Sequence, residues 1–156
     1  MNNSDVFGVF AFLAAYIVVI AIVAIVCYVL YGISHMKALK ALGYDKAWLA
    51  WIPYGNYFAM ADAVIGDEES VNLFGNVNVP AMVYKLWWLG AIVGSFIPAV
   101  GSLLVLVITI VFLGNTYGRM YAELEGKTLQ ETQAIGYVSG FISIIAVVKF
   151  LTGKYE

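Results

Sequence analysis

The chain has 156 residues, of which 63% are hydrophobic and only 12% charged, with a formal net charge of −2 and one cysteine. A mean hydropathy of +0.89 excludes an ordinary soluble domain, and the length leaves no room for a separate soluble unit beside a membrane bundle. No block of Lys and Arg is present to track phosphates, which excludes nucleic acid as a partner, and a lone cysteine excludes an internal disulfide.

Residues 6–34 carry no charged side chain, and Lys37, Lys40 and Lys46 follow at once. An apolar run longer than about 18 residues crosses a ~30 Å hydrocarbon core as a helix. It lacks a basic leader and a small-residue cleavage site, so it is expected to stay in the mature protein. Cys27, inside it, is expected to be a small packing residue. Residues 47–66 come next, apolar but interrupted by Pro53, Gly55, Asn56 and Asp62. Three further apolar stretches follow at 81–97, 101–121 and 135–151. Pro98 and Gly101 between the first two predict a tight hairpin, because proline cannot continue the helical ladder.

Positive charge sets the topology. If 47–66 does not cross, Lys37, Lys40, Lys46, Lys85, Arg119 and Lys127 share one side, with Lys149 and Lys154 opposite. A crossing there would split the basic residues more evenly, so the positive-inside rule favours four spans at 6–33, 81–97, 101–121 and 135–151, with both termini outside. The expected fold is therefore all-α: an integral membrane bundle of four transmembrane helices plus a cytoplasmic, interfacial or re-entrant segment over 47–66. Trp48, Trp51, Trp87 and Trp88 all fall at the cytoplasmic face in this arrangement, where an indole keeps its ring half buried and its N–H wet.

Glycine pairs four residues apart recur at Gly90/Gly94, Gly114/Gly118 and Gly136/Gly140, and Ser139 and Ser143 extend the last. Small residues let backbones approach closely where lipid removes the hydrophobic drive, so these mark helix-packing faces. Chemistry is harder to find. Asp45 and Asp67 follow Tyr44 and Gly66, but both sit in charged loops, unlike the facing carboxylates of an intramembrane aspartyl protease. Ser139 has no histidine after it, and His35, the sole histidine, reads as a solvated or packing residue at the interface and not as a base or ligand. No catalytic, metal or cofactor motif is present. The remaining candidates are polar groups in apolar surroundings: Asp62, Asn56, Lys85 and Arg119. A charge in or near lipid is expensive unless paired. Asp62 is expected to pair with Arg119 first and Lys85 second.

The segments Lys40-Ala41-Leu42-Gly43 and Trp48-Leu49-Ala50-Trp51-Ile52-Pro53-Tyr54-Gly55-Asn56 resemble a family of small multi-span bacterial membrane proteins of unassigned function, some fused to signal peptidase I. Trp87-Trp88, Pro98 and Tyr117-Gly118-Arg119 match its later elements. The chain departs by one extra residue between Gly43 and Trp48 and by the acidic 66–69 insertion. The resemblance implies a bacterial cytoplasmic membrane and no activity. The function expected is a non-enzymatic membrane scaffold or accessory subunit, partnered by the lipid bilayer and by further copies or other membrane proteins. A small channel or transporter component comes second, and an intramembrane enzyme third.

Overall fold

A computed structural model describes residues 3–155. The chain is about 75% helix with almost no sheet, and it divides into two compact units, Met1–Gly32 and Ile33–Glu156. The first unit is the N-terminal part of helix α1 (Asn3–Ala41). Its large apolar side chains from Phe7 to Leu30 are exposed on every face. Two helices, Val6–Ala41 and Gly101–Glu125, are long and apolar enough to cross a membrane.

Within the second unit, α1 ends where Gly43 takes a left-handed φ of 73°, and Tyr44 N–H bonds back to Leu39 O at 3.0 Å, a glycine stop. A 3₁₀ turn (Ala47–Trp51) leads to α2 (Gly55–Ile65). A hairpin of β1 (Ser70–Leu73) and β2 (Val77–Pro80) follows, absent from the sequence expectation. Its turn holds Phe74 and Gly75 at positive φ, the backbone that matches strand twist in hairpins. Then come α3 (Ala81–Lys85), α4 (Trp87–Ser95), α5 (Gly101–Glu125), α6 (Leu129–Phe141) and α7 (Ile144–Thr152).

Two expected spans are not continuous helices. Residues 81–97 are broken at Leu86, which leaves helical geometry at φ −108° and ψ 18° while its N–H still bonds Met82 O at 3.1 Å. The 135–151 stretch departs further. Its helix begins earlier, at Leu129, behind a capping box in which Glu131 accepts from the Thr128 N–H at 2.8 Å. It then stops at Ile142, where φ −121° and ψ 82° turn the chain. The side-chain contacts show a reversal. Thr132 donates to Gly118 O at 2.7 Å and Gly140 lies beside Gly114, so α6 runs antiparallel to α5. Nine residues after Gly140, Lys149 pairs with Glu125, at the C-terminal end of α5. Eleven residues of α5 separate Gly114 from Glu125, roughly 16 Å at the helical rise. Residues 135–151 therefore form the two arms of a hairpin and not one continuous helix.

The α5–α6 seam is built from glycine. A Cβ at Gly136 would stand 2.5 Å from Gly114 O and from Gly118 N, and one at Gly140 would stand 2.8 Å from Gly114 Cα. Backbone meets backbone, and no side chain fits between. Gly94 meets the Val105 and Leu104 side chains of α5 instead, at 3.3 and 3.6 Å. Gly90 has nothing within 4 Å of its Cβ position, so its expected packing role is corrected: it faces open space. The core of this unit centres on Leu39, Met60, Tyr84, Tyr117, Tyr121 and Phe150, all fully buried.

The seam yields a stability test. Gly136→Ala forces two backbones apart and is expected to lower stability by about 1–3 kcal/mol, read as a drop in the detergent melting temperature. Gly90→Ala is expected to leave that temperature unchanged or slightly higher, since alanine favours helix. Equal effects at both positions would contradict the packing described.

Candidate functional site

Asp62 sits on α2 and reaches two other segments. Its Oδ1 lies 2.6 Å from Lys85 Nζ on α3, and its Oδ2 accepts from the Tyr44 hydroxyl at 2.8 Å. Lys85 also donates to Gly66 O at 2.8 Å, the carbonyl at the C-cap of α2. One ammonium thus neutralises the carboxylate and the negative end of the helix dipole together. Burial alone would raise the Asp62 carboxyl, but the Lys85 ammonium and the Tyr44 hydroxyl outweigh it and hold its pKa below the ordinary 3.8. The Tyr44 hydroxyl is pushed up, first by burial and then by the neighbouring carboxylate. The junction ties the end of α1, α2 and α3 into one body.

Arg119 is not at this junction, which corrects the preferred pairing. It lies on α5, where its Nε donates to Asn115 Oδ1 at 3.1 Å, one turn away. That oxygen also accepts from Tyr84 OH at 2.8 Å, and Tyr84 OH lies 3.0 Å from Thr116 Oγ1. Thr116 can give its single proton to Phe112 O at 2.8 Å. Asn115 Nδ2 is buried with no hydrogen-bond partner. Lys85 and Arg119 therefore serve separate clusters. Asn56 Oδ1 accepts from the Tyr57 N–H at 2.7 Å in the first turn of α2.

The sequence undervalued His35. It is fully buried, with Nδ1 3.0 Å from Ser34 Oγ and Nε2 2.9 Å from Tyr117 OH. Its ring stands edge-on to Phe150 at 5.2 Å. Only the tertiary contacts reveal this, since the local sequence places it beside Lys37 like any interfacial histidine. The Lys37 ammonium is committed to Leu151 O at 2.9 Å and Gly153 O at 2.7 Å, the C-terminal carbonyls of α7. It neutralises that helix end. Glu125 bridges Lys149 and Lys127, the latter at 2.7 Å.

The four tryptophans separate into unlike environments. Trp48 is 58% exposed, and Trp51 Nε1 lies 3.3 Å from Met36 Sδ. Trp87 is only 5% exposed and packs on Tyr57 and Phe112 at centroid distances of 5.2 and 6.2 Å. Trp88 stacks on Tyr54 at 5.5 Å. Trp87 is thus a core residue, not an interfacial one. Among the described residues no three His, Cys, Asp or Glu side chains are grouped to hold a metal ion. Comparisons with protein-family models, curated proteins and solved structures found no match.

The Asp62–Lys85 pair gives a double-mutant test and a pH test. Asp62→Asn and Lys85→Met should each destabilise the protein, with a coupling of about 0.5–3 kcal/mol between them. Asp62→Asn and Arg119→Gln should add. Because the folded carboxyl is depressed, its stabilisation is complete above pH 3.8 and is lost as pH falls through the lower folded value. The melting-temperature gap between wild type and Asp62→Asn should therefore hold steady at neutral pH and close on acidification below that point. A gap that widened there would reverse the assigned sign.

Proposed function

We propose that the protein is a non-enzymatic scaffold or accessory subunit of a bacterial cytoplasmic membrane, docking to membrane partners through α1. The observation that carries this lies in the first unit: from residue 6 onward it is an uncharged helical stretch whose large side chains from Phe7 to Leu30 are exposed on every face. That exposed stretch is about as long as one membrane span, and Ser34, His35, Ala38 and Leu39 further along α1 are buried in the second unit, so α1 offers partners a single membrane-length apolar surface. The glycine faces expected to receive partners are the less suitable surface, because Gly114, Gly118, Gly136 and Gly140 are occupied by each other. The polar groups of the second unit act as ties and caps: Lys85 on Asp62, Lys37 on α7, Lys149 on Glu125.

The membrane topology we infer has three crossings, by α1, by α3 with α4, and by α5, with α6 and α7 as a re-entrant helical hairpin. The reversal at Ile142 supports it. All eight Lys and Arg residues then lie on one side, a stronger bias than the six-to-two division of the four-span arrangement. The N-terminus is outside and the C-terminus cytoplasmic. At the reversal the Ile142 and Ile145 N–H groups remain bonded, to Val138 O at 2.8 Å and Ile142 O at 3.0 Å, as non-helical backbone in a bilayer requires.

Two measurements test this reading. In a Cys27→Ser background, an impermeant thiol reagent applied to intact cells should label a cysteine at Asn3 and none at Ser70 or Lys154. Labelling at Lys154 would restore the fourth crossing. For the docking role, a photo-crosslinking residue is placed singly from Ile17 to Ile25 in native membranes. Adducts of one size should recur every three to four positions, the signature of a single docked face. Adducts with lipid alone at every position would reduce α1 to an anchor.

A further inference from the structure

A cavity of about 250 Å³ lies between the start of α2 and the α4–α5 hairpin, with Tyr54, Tyr57, Trp87, Trp88, Ser95 and Thr109 in its lining. No charged side chain lines it. The polar groups around it are weighted toward donors. Both indole nitrogens, Trp87 Nε1 and Trp88 Nε1, are buried and have no hydrogen-bond partner in the structure, and the two tyrosines and Thr109 add hydroxyl groups. A buried N–H left unmade is costly, and an indole nitrogen can only donate. Two such groups on adjacent residues of one wall call for an acceptor that the chain does not provide.

The aromatic wall is held in place. Tyr54 stacks on Trp88 at 5.5 Å from a backbone φ of 63°, a conformation that a bulky residue keeps only under constraint. Tyr57 stands against Trp87 at 5.2 Å. Trp87 is also shared with an apolar groove of about 410 Å³ lined by Gly90, Ile108 and Phe112 among others, where the bare Gly90 leaves room.

We propose that the cavity binds the carbonyl group of a neutral, membrane-soluble amphiphile, the chemistry common to a glycerolipid ester and a quinone head ring. A carbonyl supplies the missing acceptor. A planar or ester-bearing head suits the aromatic walls, and an apolar body suits the adjoining groove. Phosphate and carboxylate groups are disfavoured because no cation lines the cavity. The proposal rests on the membrane location inferred above, but it concerns a different surface from α1.

The test uses full-length protein in mild detergent with 15N-labelled tryptophan, its four indole N–H signals assigned by single Trp→Phe substitutions. A quinone carrying one isoprene unit and dihexanoylglycerol are titrated separately. The Trp87 or Trp88 signal should move downfield and saturate, while the exposed Trp48 signal stays in place. Thr109→Val and Tyr57→Phe should each weaken the apparent Kd about 2- to 10-fold, the range of one hydrogen bond. A response to one probe alone assigns the source, and a response to both assigns the shared carbonyl. All four signals drifting in parallel without saturation would show partitioning into the micelle and overturn the proposal. So would silence to both probes, or a response confined to dihexanoyl phosphatidylglycerol. Failure here with periodic α1 crosslinks intact would leave the scaffold reading standing, and the reverse result would leave the cavity.

Discussion

The second unit depends on the backbone contact between α5 and α6. Gly114 and Gly118 on one helix and Gly136 and Gly140 on the other bring the axes so close that a Cβ at Gly114, Gly136 or Gly140 would overlap main-chain atoms, and one at Gly118 would stand 3.3 Å from Gln133 Cα. In lipid this is a principal source of helix association, because dispersion and close packing replace the hydrophobic drive. The seam also decides where the chain can go next. With α6 pinned antiparallel to α5, the turn at Ile142 sends α7 back along the same helix. Phe150 then packs against Tyr117 and Tyr121, with centroids 6.0 and 5.4 Å away. The pocket that encloses His35 exists only because that reversal occurs.

Buried polar groups follow the same logic. Tyr121 donates to Ser139 at 2.8 Å and Thr132 to Gly118 O at 2.7 Å, both across the α5–α6 seam. Each bond satisfies a group that would otherwise sit unpaired in an apolar interior, and each pins the register of the two helices. Lysines perform a second kind of work. Lys37 and Lys85 each meet carbonyls at a helix C-terminus, where the dipole is negative and a cation is favoured. Polar residues in this unit therefore hold elements together. Of the three buried side-chain donors left without a partner among the described residues, two, Trp87 Nε1 and Trp88 Nε1, belong to residues that line the cavity, the third being Asn115 Nδ2. That contrast is why the cavity, and not the Asp62 junction, is the better candidate for a ligand.

The two units have opposite surface economies. The second encloses a core of tyrosines, methionines and small residues around the C-terminal half of α5. The first encloses nothing and offers a long apolar surface. The second unit has a core of its own, whereas the side chains of the first from Phe7 to Leu30 are left exposed. The same division leaves a continuous polar path without support, since Asp62, Lys85 and Arg119 are distributed between two separate clusters.

Much of this was legible from residue order. The uncharged run 6–34 specifies a long helix because nothing in it interrupts the ladder, Pro98 with Gly101 specifies the α4–α5 turn, and the glycine pairs specify close packing. The pairing of Asp62 with a cation was also readable, since an isolated carboxylate in an apolar stretch needs one. Other features were settled only in three dimensions. Residues 135–151 have the composition of a span, and hydropathy counts composition without sensing that Ile142 leaves helical geometry. The partner of Asp62 depended on which face of α5 Arg119 occupies, and a one-turn bond to Asn115 holds it elsewhere. Gly90 and Gly94 share a motif but not an environment, because spacing defines a face and only the neighbouring helix decides whether that face is covered. Residue order left His35 either solvated or packed for the same reason: burial is a property of what packs around a residue, and Tyr117 and Phe150 come from more than eighty positions away.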